Sequence, residues 1–293
     1  MRILLTTFFI IIGLAACNRK TIIPEAYTLQ TEAYNSIAGV DENLLSLDVY
    51  FFAEDESNLK PVVIWVHGGA WSIGDKANQL TNKLNLFEDQ GYLLVSVNYR
   101  LSPNPVELDN PDRIKYPVHN EDVADAIAWV FENIESYGGD PTKLALLGHS
   151  AGAHLVALSG TSPQFLPERN LPLTTVCGIA AIDTEGYDVY SQREESFYQN
   201  AFGTDSATQV AASPITHLLE SNAYPAFFIA KRGSTTRQGI ADAFAARLEE
   251  VGADVTVIEG SEYDHAGINH AIGDPDDSII TPPLLTFLSG CFE

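Results

Sequence analysis

Residues 144–154 read Leu-Ala-Leu-Leu-Gly-His-Ser-Ala-Gly-Ala-His, an apolar run that passes through Gly148-His149-Ser150-Ala151-Gly152 into an Ala/Leu stretch. Few short patterns constrain a fold so tightly. A G-x-S-x-G serine with a strand before it and a helix after it sits on a strained turn, and its hydroxyl projects from the edge of a sheet. The helix then begins beside that hydroxyl and turns its partial positive end toward it. Glycines two before and two after the serine remove side chains that would collide in so sharp a bend. Ser150 is the candidate nucleophile.

A second segment completes the chemistry upstream. Residues 61–67, Pro-Val-Val-Ile-Trp-Val-His, form a continuous apolar run of the kind expected for a strand buried on both faces. The run ends in His67-Gly68-Gly69-Ala70-Trp71. Attack on an acyl carbonyl places negative charge on oxygen, and fixed backbone N–H groups stabilise it. The small residues Gly69 and Ala70 allow such donors to come close, and the Ala151 N–H adds one from the elbow. Removing one donor typically costs about 3 kcal/mol of transition-state stabilisation. Trp71 is read in two ways, as a wall of the acyl pocket or as a packed indole.

Taken together, these two motifs resemble the α/β-hydrolase superfamily, and within it the esterases related to hormone-sensitive lipase, arylformamidase and acetyl esterase. Asn98-Tyr99-Arg100-Leu101-Ser102-Pro103, Tyr137-Gly138-Gly139-Asp140-Pro141 and Ala212-Ser213-Pro214-Ile215 match as well. The resemblance extends over about residues 40–290. It implies an α/β-hydrolase fold with a mainly parallel eight-stranded sheet flanked by helices, and pairing of Arg100 with a helix acid such as Asp122. It also implies a serine carboxylesterase acting on short acyl esters, such as acetyl or aryl esters on carbohydrate. Two alternatives stay open. An arylformamidase-like amidohydrolase would use the same residues, and a hydrolase-like protein without catalysis would use none of them.

In this fold the base follows the last strand, in the chain order serine, acid, histidine. Histidine titrates in the range a proton shuttle needs. His265 fits, lying in Ser261-Glu262-Tyr263-Asp264-His265-Ala266-Gly267 just past a strand ending near Glu259. The rival His270 reads as the start of a helix. His149, His154, His119 and His217 carry weaker claims.

The acid is where the chain departs from its relatives, which usually place an aspartate a few residues after the next-to-last strand. Here that strand, residues 225–230, is followed by Lys231-Arg232-Gly233-Ser234-Thr235-Thr236-Arg237, and Ser234 occupies the expected position. A serine cannot stabilise an imidazolium by charge. Ile182-Asp183-Thr184-Glu185 offers carboxylates one strand earlier, an edge from which some α/β hydrolases take their acid. Asp183 is the candidate, with Glu185 or no carboxylate as alternatives, and a helix cap or Asx turn as its other use.

The first residues carry an address. Arg2, an apolar run from Ile3 to Leu14 and Ala15-Ala16-Cys17 have the n-region, h-region and small-residue cut of a secretory signal peptide. Leu14-Ala15-Ala16-Cys17 resembles a bacterial lipobox, which implies a lipid on Cys17 and a periplasmic or outer-membrane protein. The expected division is signal peptide 1–16, tether 17–26 and hydrolase domain 27–293, with residues 185–224 as a cap segment or as core-packing aromatics.

The formal net charge is −23, and loss of residues 1–16, whose one charge is Arg2, makes it −24. Such a surface repels phosphate backbones and excludes nucleic acid as a partner. No His/Cys/carboxylate group has ligand spacing for a metal, and no phosphate-binding glycine loop implies an organic cofactor. Cys177 reads as a small buried hydrophobe in the strand near 176–182. An exported address permits a disulfide with Cys291, but the spacing gives no argument for one.

Eight strands are expected, near 27–33, 45–51, 62–67, 92–98, 144–147, 176–182, 226–230 and 255–259. Helices are expected near 78–89, 120–137, 150–159, 239–251 and 281–289. Alternation of the two selects a mainly parallel sheet.

Overall fold

The computed structural model describes residues 21–53 and 58–293; the expected signal peptide, Cys17 and the first part of the expected tether, residues 17–20, lie outside them. Eight strands form one sheet: β1 (Thr28–Ala33), β2 (Ser46–Phe51), β3 (Lys60–Val66), β4 (Leu93–Val97), β5 (Gly139–His149), β6 (Gly178–Ile182), β7 (Ala226–Lys231) and β8 (Val255–Glu259). Their order is β1-β2-β4-β3-β5-β6-β7-β8, with β1/β2 and β2/β4 antiparallel and every later pair parallel. The α/β expectation holds.

Alternation along the strands divides the core into two layers. Val62, Ile64 and Val66 of β3, Leu144 and Leu146 of β5, and Phe227 and Ile229 of β7 face one side. There they meet α2 (Val118–Asn133), α3 (Ala151–Thr161) and α6 (Thr235–Glu250), through residues such as Val123, Ile127, Leu155 and Phe244. Val63, Trp65, Ala145, Leu147, Phe228 and Ala230 face the other side. They pack on α1 (Thr81–Asp89) and α8 (Thr281–Phe292) through Leu84, Phe87, Leu284 and Leu288. The central strands β3, β4, β6 and β7 and the end of β5 are covered on both faces and read as near-continuous apolar runs, whereas the edge strands β1 and β8 leave most side chains exposed.

Register sets where function can sit. Val66 pairs with Gly148, His149 with Ile182, Ile182 with Ala230, and Lys231 with Glu259. The carboxyl ends of β3, β5, β6, β7 and β8 therefore finish level, and the loops that follow them share one edge. That edge is where open parallel sheets hold ligands.

Between β6 and β7 the chain forms short helical turns, α4 (Ser196–Phe202) and α5 (Ser206–Ala211). The two readings of residues 185–224 divide by residue. Tyr187, Tyr198 and Phe202 are buried, Tyr187 stacking on Phe244, whereas Tyr190 and Phe197 stay exposed. Asn200 on α4 donates to Ser72 Oγ and to the Pro103 carbonyl, and the Tyr116 N–H donates to the Ala201 carbonyl. The segment is thus a wall tied to the 67–74 loop. Arg100 pairs with the buried Asp122 through both carboxylate oxygens, as the resemblance implied.

The cysteines behave differently from the small-hydrophobe reading. Cys177, just before β6, forms a disulfide with Cys291 in α8. The reason is tertiary: α8 crosses so closely that a Cβ at Gly178 would lie 2.7 Å from the Phe287 ring and 3.0 Å from Cys291 Sγ. Linear spacing cannot report that crossing. The bridge spans 114 residues, and a long closed loop restricts the unfolded chain strongly. Replacing both cysteines by alanine should lower the unfolding free energy by about 2–4 kcal/mol. Urea denaturation of the variant beside wild type checks this, and coincident midpoints would contradict it.

Candidate active site

Ser150 occupies the turn between β5 and α3 with φ 56° and ψ −118°, outside the ordinary regions for a residue with a side chain. Two hydrogen bonds and one close backbone approach hold it there. Its N–H donates to the Ile182 carbonyl at 2.9 Å, and its carbonyl accepts from the His154 N–H at 3.2 Å. A Cβ at Gly152 would stand 2.0 Å from the Val66 carbonyl oxygen, so only glycine lets α3 start this close to β3.

The serine meets a histidine and a carboxylate. His265 Nε2 lies 2.9 Å from Ser150 Oγ, and His265 Nδ1 lies 2.6 Å from Asp183 Oδ2. The three come from the ends of β5, β6 and β8. His265 is half-exposed, whereas the Asp183 side chain is 1% exposed, so the chain of hydrogen bonds runs from solvent into the protein. Glu185, the rival acid, is instead paired with Arg237. The other rival, His270, is exposed on α7 (Gly267–Ala271), where its carbonyl accepts from Asn82 Nδ2 at 2.9 Å.

Asp183 is held by more than the imidazole. Arg232 Nε donates to Oδ2, Arg237 donates to Oδ1 through Nε at 2.9 Å and through its Nη2 at 2.7 Å, and the same Nη2 reaches the Asp183 carbonyl at 3.0 Å. Burial pushes this carboxyl up, but the hydrogen bond to His265 and the Arg237 charge outweigh it and leave it below the usual carboxylate range. Ser234, the residue standing where an acid is expected, caps α6 by accepting from the Arg237 N–H at 3.2 Å.

The loop after β3 lies against Ser150. A Cβ at Gly68 would be 3.1 Å from Ser150 Cβ and 2.9 Å from the His149 carbonyl oxygen. Gly69, Ala70 and Trp71 all have positive φ, at 120°, 50° and 57°. The loop closes on itself, with the Ser72 and Ile73 N–H groups both donating to the Gly69 carbonyl at 3.0 Å. Among the described residues, the N–H groups of Gly69, Ala70 and Ala151 have no acceptor. Free donors beside a nucleophile are what a developing oxyanion requires. Trp71 is a packed indole, 2% exposed, in edge contact with His154, Tyr198 and Phe202.

Other contributors are not evident from sequence. His149 places Nε2 2.8 Å from the His265 carbonyl and its ring 4.6 Å from the His265 ring, so it braces the loop that carries the base. Burial first, then the neighbouring His265 and Lys83, push its pKa down to about 3, so it acts as a neutral hydrogen-bonding group. Lys83 on α1 lies over the Trp65 ring and donates to the Asn269 carbonyl at 3.0 Å, tying α7 down just beyond His265. Burial lowers its pKa to about 7.

Among the described residues, His149, Asp183 and His265 are close enough to share a metal ion. Both Asp183 oxygens already accept from arginine, and two guanidinium groups beside the carboxylate oppose a cation there. The arrangement fits nucleophilic acyl transfer instead: an activated hydroxyl, a base that reaches it, and an anion that orients the base. A fluorophosphonate probe should therefore label the protein at Ser150, and Ser150→Ala should abolish labelling; intact-mass spectrometry reads both, and undiminished labelling of the variant would refute the assignment.

Comparison with known proteins agrees with this architecture. The BD-FAE family model matches residues 47–234. Esterase LipQ of Mycobacterium tuberculosis is 33% identical over 210 residues, which is 66% of this chain and 47% of LipQ, so the chain spans about half the length of that relative. Ethyl acetate hydrolase of Pseudomonas putida is 27% identical over 262 residues, covering 84% of this chain and 79% of that protein. The inhibited esterase B of Lactobacillus rhamnosis superposes with a TM-score of 0.73 at 19% identity, over 92% of this chain and 89% of that one, which shows a shared fold. Because the family model covers more than half of the sequence, the chain belongs to the BD-FAE family, and its fold is that of an α/β hydrolase.

Proposed function

We propose that this protein is a serine carboxylesterase that hydrolyses short acyl esters through an acyl-enzyme. The observation that carries the reading is the continuous hydrogen-bonded line from Ser150 Oγ through His265 to Asp183, set beside the free N–H groups of Gly69, Ala70 and Ala151. Ser150 Oγ attacks the ester carbonyl as His265 Nε2 takes its proton. The N–H groups hold the resulting oxyanion. Collapse breaks the bond to the alcohol oxygen, which leaves with the proton returned by His265. Water then repeats the sequence on the acyl-enzyme, giving the carboxylic acid and restoring the Ser150 hydroxyl. Asp183 stabilises the imidazolium in both halves without itself becoming protonated.

The names of the relatives favour esters over formamides, and the ethyl acetate hydrolase likeness favours a small acyl group. A binding protein without catalysis would fit a chain with no acid for the histidine; Asp183 at the end of β6 meets His265 instead, which favours an enzyme. Acetyl or aryl esters on carbohydrate are the substrates we favour, and acetylated polysaccharide tested beside a formanilide and a nitrophenyl acyl series separates the alternatives. We further propose export and a lipid anchor on Cys17. The Leu-Ala-Ala-Cys stretch supports this, as does the Cys177–Cys291 disulfide, since such bonds persist in oxidising compartments.

On 4-nitrophenyl acetate, Asp183→Asn should lower kcat by roughly 10⁴-fold, because the amide holds the wrong imidazole tautomer and lacks charge. Glu185→Gln should lose far less. Steady-state kinetics on both variants decides the acid, and wild-type turnover in Asp183→Asn would remove it from the mechanism.

A further inference from the structure

We propose that Arg232 and Arg237 are positioning residues for the Asp183–His265 pair, Arg237 fixing the plane of the carboxylate and Arg232 setting how strongly that carboxylate favours a protonated imidazole. The inference rests on the triad reading and goes beyond it. It starts from the turn after β7, where Lys231-Arg232-Gly233-Ser234-Thr235-Thr236-Arg237 contains two arginines and no acid. Both arginines turn back onto the carboxylate at the end of the neighbouring strand.

The two contacts differ in kind. Arg237 grips Oδ1 through two nitrogens, reaches the Asp183 carbonyl with one of them, and gives its remaining nitrogen to Glu185. A planar fork of this type fixes both the direction and the plane of its partner, which a lysine cannot do. The Ser234 cap on the Arg237 N–H holds the start of α6 where the fork reaches. Arg232 donates to Oδ2, the same oxygen that accepts from His265 Nδ1. A cation sharing that oxygen draws off part of the negative charge the imidazolium would otherwise feel.

Apart from Arg237, whose charge acts on the same carboxylate through Oδ1, the other groups around the pair do not duplicate this effect. From β5 the base faces His149, which burial keeps neutral, and Lys83 of α1 stands behind His149. Tyr187 and Tyr198, near Asp183 and Arg237, are pushed up by burial and remain neutral phenols. Glu185 is engaged by Arg237, and Glu262 and Asp264 lie on the exposed loop that carries the base, with Asp264 capping the Gly267 N–H. Arg232 is the cation in direct contact with the shared oxygen.

The test uses the full-length protein with 4-nitrophenyl acetate, following kcat, KM and the pH dependence of kcat/KM, with urea unfolding of each variant. Arg232→Gln should move the acid limb of the profile upward by about one pH unit, because the carboxylate then holds the imidazolium more firmly. Arg232→Lys, which retains the charge, should keep the limb near its wild-type position. Arg237→Gln should lower kcat by roughly 10- to 100-fold with KM little changed. Arg237→Lys should recover little of that loss, since an ammonium cannot form the fork. An unmoved acid limb in Arg232→Gln, or wild-type kcat in Arg237→Lys, would overturn the proposal. Should Arg237→Gln fail to fold, the two lysine variants and Arg232→Gln still decide it. A wild-type protein that neither hydrolyses the ester nor labels with a fluorophosphonate brings down the triad reading and this inference together; an active one with unmoved profiles brings down only the inference.

Discussion

The close approach of α3 to the carboxyl ends of β3 and β5 is the constraint on which the rest of the site depends. Gly148 and Gly152 meet backbone to backbone, and a Cβ at either would lie 2.5 Å or less from main-chain atoms. Nothing in such a contact can swing aside, so the helix starts at one place and Ser150 is forced into its positive-φ turn. From there the geometry propagates. The serine N–H takes the Ile182 carbonyl, which pins the end of β6, and the residue after Ile182 is Asp183. One glycine-enabled contact thereby locates the nucleophile and the start of the acid-bearing turn.

The electrostatics follow from depth. Asp183 is buried, and an isolated anion there would carry a heavy desolvation cost. Two guanidinium groups and an imidazole replace the lost water, and the carboxylate stays ionised. His265 stands at the solvent end of the same chain, accessible to an incoming ester and to water. The protein thus places fixed charge inside and the moving proton outside, so the protonation changes of a catalytic cycle occur at one group while the carboxylate remains an anion.

Much of this was legible in the sequence, and the parts that were not share a cause. The central strands stood out because burial on both sheet faces demands near-continuous apolar runs, and the five long helices stood out by their alternation with them. Ser150, His265 and the Gly69–Ala70 loop were legible because each lies in the loop or turn that follows a strand end. Asp183 was found the same way, from a carboxylate closing an apolar strand. The arginines were not: in a polar turn an arginine reads as a solvated charge, and only the level ends of β6 and β7 bring Arg232 and Arg237 over Asp183. The same applies to His149, whose partner is a backbone carbonyl 116 residues away, and to the disulfide, which depends on how α8 crosses β6. Local pattern encodes elements and their ends, whereas contacts between ends require the register.

Strain at the site is the counterpart of that rigidity. Six described residues other than glycine have positive φ, and four of them, Ala70, Trp71, Ser150 and Asp183, belong to the candidate site. Each sparsely populated conformation costs about 1–3 kcal/mol. Such conformations persist only where surrounding structure over-determines them, and here it does. Trp71 is wedged among His154, Tyr198 and Phe202, Ser150 is bonded on both sides of its backbone, and Asp183 donates its N–H to the Ala230 carbonyl while its side chain is gripped by two arginines. The wall formed by residues 185–224 belongs to this same logic, because α4 seats the aromatic contacts that keep the 69–71 loop in its strained shape. By its contacts, the segment is part of what holds the backbone of the 69–71 loop in place.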